Sequence, residues 1–273
     1  MAHGGAPEWN AAVARAVEPL RARLPVALAL GMADPRTLQA ALDSLGESGV
    51  ERVAVVRLFM SGESFLHQTE YLLGLRGDPP AEPMLHHGGG GAGQHGELHP
   101  LRHGMEVLLS RDGLGASALA GAILVDRADG ASRDPGRERV LLVAHGMGDE
   151  GENGRVLAWM EESAGELRAR GFQDVHTATL REDWPEARAV AEAEIRAWVR
   201  GAADGGARVI VVPFRLSGFG PYAQVLEGLP YVPTEGLLPH DLVSRWLEEQ
   251  AARLLCPGGD GEGLPCAAAA PDR

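Results

Sequence analysis

The apolar positions of the C-terminal half alternate between two periods. Arg139–Ala144 is a short, nearly continuous apolar run ending in His145-Gly146, the pattern of a buried parallel strand entering a loop. Glu152–Arg170 then has helical spacing, with Val156, Trp159, Met160 and Leu167 on one side. Val175–Leu180 reads as the next strand. Pro185–Arg200 reads as a helix with proline at its start and Val190, Ile195 and Val199 toward a sheet. Val209–Phe214 is a second continuous apolar strand. Strand and helix in strict alternation predict right-handed crossovers and an open parallel α/β sheet covered on both faces.

The N-terminal half repeats the landmarks in order. Val53-Ala-Val-Val-Arg-Leu-Phe-Met-Ser61-Gly62 reads like Val209-Ile-Val-Val-Pro-Phe-Arg-Leu-Ser217-Gly218, and Met1-Ala-His3-Gly4 like Val143-Ala-His145-Gly146. Asp34-Pro35 and Asp183-Trp-Pro185 each open a helical pattern, and a glutamine, Gln68 or Gln224, stands seven residues beyond each serine. Such self-similarity predicts a duplication. Its halves are residues 1–80 and 138–255, joined by 81–137 and followed by a tail, 256–273. Ligands of open parallel sheets bind at the carboxyl ends of strands, where His3, Asp34, Ser61, His145, Asp183 and Ser217 all fall. Two similar rims then face a central cleft. Only Met1 and Ala2 precede the first His-Gly, so the first strand is either vestigial or begins upstream of this Met; the second is the preferred expectation.

Composition narrows the function. The 25 basic and 38 acidic residues leave a net charge of −13, which argues against nucleic-acid or anionic-membrane partners. No apolar run reaches the 18 or so residues of a membrane span, and no export signal is visible, so the expected location is the cytoplasm, as monomer or homodimer. The two cysteines, separated by nine residues, lack zinc or cluster spacing and read as incidental. Residues 84–103 hold five of the ten histidines, His86, His87, His95, His99 and His103, among dense glycine. They read as a mobile loop that recruits metal. Leu114–Ala128 reads as a connecting helix, and the segment from Pro257 as disordered.

The candidate chemistry follows from these placements. His145, at a strand end before glycine, is either a metal ligand or acid-base group or a simple cap, and the repeated His3-Gly4 favours chemistry. His67, on a helix over Ser64–Leu75, either joins His3 in an open metal site or lies on an exposed face. Glu63 is either a proton acceptor or a carboxylate suited to a helix N-terminus. Ser217-Gly-Phe-Gly-Pro-Tyr222 reads as a tight turn or as an anion site, with Ser61, Ser217, Gly218 and Tyr222 as contacts. No Gly-Lys-Ser/Thr loop, dinucleotide fingerprint or Gly-x-Ser-x-Gly elbow is present, so no nucleotide and no hydrolase nucleophile is expected.

The His-Gly pair, the Asp34-Pro35 helix start and the paired Val-rich strands ending before Ser-Gly resemble sirohydrochlorin cobaltochelatases of the CbiX type, in the long duplicated form of the class II chelatases. The resemblance covers residues 1–80 and 138–255. It implies a flavodoxin-like, chelatase-type fold and ATP-independent insertion of a divalent metal into sirohydrochlorin or a related tetrapyrrole. Co²⁺ is the first choice, with Ni²⁺ or Fe²⁺ as further candidates. Residues His3, His67 and His145 would be ligands or proton acceptors, Glu63 a weaker acceptor, and Arg57, Arg215 or the Ser217 turn donors to ring carboxylates. The family's histidine after the second Ser-Gly is missing here, Gly31 and Arg181 fall where its carboxylate is expected, and His67 is off the usual offset. A non-catalytic metal or tetrapyrrole carrier, or a chelatase-fold enzyme with another substrate, is the alternative.

Overall fold

A computed structural model of the chain describes residues 1–81 and 98–256. It divides into two units, Met1–Leu114 with Ser244–Arg273 and Gly115–Val243. In the second unit the central strand is β3 (Glu138–Ala144), flanked by β4 (Asp174–Thr179) and β5 (Arg208–Phe214), with the two-residue β6 (Val232–Pro233) beyond β5. The order is β4-β3-β5-β6, and every pair is parallel. Covered on both faces, β3 buries Val140, Leu141, Leu142 and Val143 completely. Such burial is worth about 1.5–3 kcal/mol per side chain. Its first residue, Glu138, is also buried, balanced by Arg208, Ser132 and the Arg133 amide.

Crossover helices supply the covering layers. α5 (Glu150–Ala169) is capped by Asp149, which accepts from the Glu152 amide at 2.9 Å. α6 (Pro185–Asp204) begins on proline and buries Ile195, Val199 and Ala202. Val190, expected toward the sheet, is instead 59% exposed, because it lies on the opposite side of the helix from that stripe. The expected connecting helix is shifted: Leu114–Ala116 is a 3₁₀ turn, and α4 runs from Ala118 to Ala131 with Ser117 as its cap. It packs into the second unit's core, where Gly121 allows Ser163 close to its backbone.

The first unit uses the same order with less strand. Ala2 bridges Leu30 on one side and Leu58 on the other, both parallel, just as Ala144 pairs with Thr179 and Phe214. β1 (Arg52–Val55) then pairs in parallel with β2 (Glu106–Leu109). The Val-rich strand, expected to end in Leu58-x-x-Ser61, stops at Val55 before Arg57 turns inward. It is 1% exposed, and its guanidinium donates to the carbonyls of Ser110, Ser64, Gly62 and Arg111. Helices α1 (Pro7–Arg21) and α2 (Pro35–Glu47) complete the layers. Helix α3 covers only Leu66–Leu72 of the expected Ser64–Leu75, since Phe65 adopts a left-handed φ of 55° before it. The last helix, α8 (Asp241–Leu255), starts in the second unit and ends in the first.

Residues 98–103 are tied to the scaffold. Leu98 and Leu101 pack on the cluster of Ala29, Ala33, Leu38 and Leu72, and the Leu101 amide donates to Leu72. The expected loop therefore ends earlier than residue 103, because two leucines anchor its last residues. His86, His87 and His95, and the tail from Pro257, lie outside the described residues. Cys256 is buried and disulfide-bonded, so it is not the incidental thiol expected.

Candidate functional site

The rim of the second unit gathers chemistry from three strand ends. His145 follows β3 and sits before Gly146, whose φ is +84° and whose Cβ, if present, would stand 2.8 Å from Thr179. Only glycine fits that turn. The next loop is fixed by Asn153, which accepts from the Met147 amide at 3.1 Å. It is fixed again by Arg181, which donates to Gly148 at 2.9 Å and to both Glu150 oxygens at 3.2 and 2.9 Å. Those hydrogen bonds hold the Glu150 carboxyl below its ordinary range. Arg181 is thus the clasp of the His145 loop.

His145 Nδ1 lies 2.8 Å from the Gly146 carbonyl, so it acts as donor and Nε2 is left facing outward. That nitrogen is 3.2 Å from Asp183 Oδ2, with the two side chains 42% and 73% exposed. Trp184 braces the imidazole edge-on, centroid to centroid 6.0 Å at 89°. Gly148 leaves room for the indole: a Cβ there would meet Trp184 Nε1 at 2.3 Å. With Nδ1 protonated, Nε2 and the carboxylate are both acceptors. Only a proton or a cation between them makes the contact favourable.

Next to this pair lies a partly buried polar group. Glu182 and Arg215 form an ion pair at 3.6 Å, and Arg215 stands 5.9 Å over the ring of Tyr222. Glu182 Oε1, Arg215 Nη1 and the Tyr222 hydroxyl are buried without a well-formed hydrogen bond. Burial, reinforced by the Glu182 charge, pushes the Tyr222 phenol far above its ordinary pKa. Gly220, at φ +64°, gives Arg215 its space, since a Cβ there would overlap the guanidinium. Tyr222 is 1% exposed and so acts behind the rim, through Glu182 and Arg215. Ser217 is partly exposed and Gly218 exposed, and helix α7 (Tyr222–Val225) has only four residues. The Gln224 and Val225 amides donate to the Pro221 carbonyl.

The first rim repeats the backbone. His3 Nδ1 lies 2.7 Å from the Gly4 carbonyl, and Trp9 stands edge-on at 6.2 Å. Asp34, however, caps α2 and pairs with Arg36 at 3.1 Å. Burial opposes its charge, yet the Arg36 hydrogen bonds hold its carboxyl below the ordinary range. His67 and Glu63 are exposed on and before α3, and the Ser61 hydroxyl accepts from the Glu63 amide at 3.2 Å. His103 is engaged by the carbonyls of Met105 and Leu73, and His99 also has a partner. Arg57 is buried and spends four of its five guanidinium donors on backbone carbonyls, which corrects its expected role toward a ligand. Among the described residues no three His, Cys, Asp or Glu side chains converge as a metal centre. No described helix is long and apolar enough to cross a membrane.

Sequence reasoning stopped at Arg181 when seeking the family carboxylate; Glu182 and Asp183 follow it directly. The register supplies the missing signal, because the Leu180 amide donates to Ala144 and carries residues 181–183 over the His145 loop.

No family model and no curated protein matches the chain. Solved structures do. SirB from Bacillus subtilis with Fe³⁺ has a TM-score of 0.59 at 14% identity, covering 92% of this chain and 94% of its own. The sirohydrochlorin chelatase SirB from Bacillus subtilis subspecies spizizenii, in complex with cobalt, has a TM-score of 0.58 at 11% identity, covering 93% and 92%. CbiX, described as the terminal enzyme for biosynthesis of siroheme in denitrifying bacteria, has a TM-score of 0.54 at 19% identity, covering 91% and 95%. At these identities the likeness shows one thing: the chain has the chelatase-type α/β fold with parallel sheets.

Proposed function

We propose that a chain with this fold and this rim inserts a divalent metal, Co²⁺ first and Ni²⁺ or Fe²⁺ next, into sirohydrochlorin or a related tetrapyrrole without ATP. The observation that carries the reading is the His145–Asp183 contact, two acceptors 3.2 Å apart on an exposed strand end. A divalent ion held there meets one imidazole and one carboxylate, an open set that a macrocycle's nitrogens complete. Insertion releases two pyrrole N–H protons. His145 Nε2, once the ion has left it, and the carboxylates of Asp183 and Glu182 are the acceptors within reach of that rim. Arg215, 30% exposed, is the cation available to a ring carboxylate. His3 repeats the first ligand on the other unit, and His67, Glu63 and Ser61 are candidates to join it. The complexes of SirB with Fe³⁺ and with cobalt support a metal as substrate.

A non-catalytic carrier is the second reading, favoured by the lack of a three-ligand centre among the described residues. Absorbance of sirohydrochlorin with Co²⁺ separates the two. Many turnovers above the protein-free rate, lost in His145→Ala, support the chelatase. A shift that saturates at one equivalent, with no rate above the blank, supports the carrier.

A further inference from the structure

The partly buried polar group of the second unit holds Arg215 from every side but one. The Arg215 carbonyl accepts from the Leu237 amide, and the next carbonyl, Leu216, accepts from Leu238, so the backbone is fixed. Gly220, at φ +64°, leaves the space that Nη1 fills. Glu182 Oε1 stands 3.6 Å from that nitrogen, and the Tyr222 ring lies 5.9 Å from the guanidinium carbon. Nη1 is therefore buried. Nε and Nη2 are not, and neither has a hydrogen-bond partner among the described residues. What the guanidinium exposes is thus one edge, with two N–H groups pointing the same way. Most arginines must be ordered before they can bind; this one is ordered already.

That edge carries donors only. A carboxylate fits it, because its two oxygens accept both N–H groups in parallel. A carboxamide of the same size offers one acceptor and turns its own N–H groups toward a donor. Glu182 already offsets the guanidinium charge, and the chain as a whole carries −13, so a polyanionic macrocycle gains nothing from the long-range field. Arg215 reads the pattern of acceptors rather than the charge. We propose that Arg215 is the specificity-determining residue of the second rim: it admits tetrapyrroles with a free side-chain carboxylate and disfavours those in which that group is amidated. Tyr222, whose ring lies against the guanidinium, is its positioning residue. The inference rests on the proposed function for the kind of molecule bound and goes beyond it in naming the side-chain state accepted.

The test measures binding of two metal-free probes to the whole chain by absorbance titration. One is sirohydrochlorin; the other is sirohydrochlorin with every side-chain carboxylate converted to its N-methylamide. The readout is the Kd of the amide probe divided by that of the acid probe. It should fall about thirtyfold in Arg215→Met. Arg215→Lys keeps a charge beside Glu182 but lacks the two-pronged edge, and should lose about tenfold. Tyr222→Leu, which removes the ring against the guanidinium, should lose about threefold. Each loss should come from the acid probe alone, whereas a merely structural role would weaken both probes together. A ratio within about twofold of the parent in both Arg215 variants overturns the inference, as does equal weakening of the two probes. Co²⁺ insertion is followed separately. Selective binding without turnover above the blank overturns the chelatase reading and supports this inference; turnover with an unaltered ratio does the reverse. Binding of neither probe overturns both.

Discussion

Place the two rims side by side and the same backbone carries opposite chemistry. Met32 and Arg181 share a left-handed φ, 54° and 57°; one residue later Ala33, also left-handed at 62°, corresponds to Glu182, which is not. Phe59 corresponds to Arg215 and Leu66 to Tyr222, by the register that matches Leu58 with Phe214. Thus Glu182, Arg215 and Tyr222 form a polar cluster where their counterparts Ala33, Phe59 and Leu66 are each apolar and buried. The aspartates diverge too: Asp34 is held by Arg36, while Asp183, followed by Trp184 and Pro185, turns to His145. Arg57, which locks the first rim's loop, corresponds to Pro213. In the first rim these groups hold the structure together, while the second presents a histidine, two carboxylates and an arginine near its surface.

The largest expected effect comes from breaking this asymmetry at its centre. His145→Ala should lower the initial rate of metal insertion about a thousandfold, and His3→Ala no more than about tenfold. Equal losses in the same absorbance assay would mean that both rims work alike. Next is Ala33→Glu, which gives the first rim the second's carboxylate without its arginine. An unpaired charge at that buried position should cost about 3 kcal/mol, read as a drop in Tm of roughly 6–12 °C. A variant as stable as the parent would show that the first rim is more open than its 2% exposure at Ala33 indicates. Glu182→Gln should lower kcat about tenfold with little change in KM, because it removes a proton acceptor and leaves the ring's other contacts in place. A loss confined to KM would assign Glu182 to binding.

The smallest effect is electrostatic. Asp34 has its pKa lowered in the folded chain, so it contributes stability that is present above the unfolded value and lost as pH falls through the folded one. Arg36→Ala should raise the Asp34 pKa in an NMR titration and shrink that acid-side loss. Arg36 lies on the surface, so the change in stability should be slight and should fade with added salt. An unmoved Asp34 titration would place the cause in the α2 amides alone.

What could be read in the chain follows from how local each signal is. Continuous apolar strands such as Val209–Phe214 and proline-started helices such as Pro185 onward announce themselves, and so do the His-Gly turns. The identity of the rim carboxylates does not, because a left-handed residue at Arg181 shifts which side chains reach the rim, and only the strand register reveals the shift. Arg57 looks like a ligand donor in the sequence for a similar reason. A guanidinium in sequence gives no hint that four carbonyls surround it. Leu98 and Leu101, set beside a histidine- and glycine-rich stretch, look like loop in the sequence because their partners, Ala29 and Leu72, are far away in the chain.

The passage of α8 from one unit to the other has a consequence for the order of assembly. The first unit is discontinuous: an apolar cavity inside it is lined in part by Leu247, Ala251 and Leu255, which a ribosome supplies only after the whole of Gly115–Val243 has emerged. Residues 1–114 therefore wait, with a helix-sized share of their core missing, while the inserted unit is made and can fold on its own. Nascent chains stopped shortly after Val243 should hold a protected second unit beside a first unit open to proteases, and the final fifteen-residue helix would be the step that closes it.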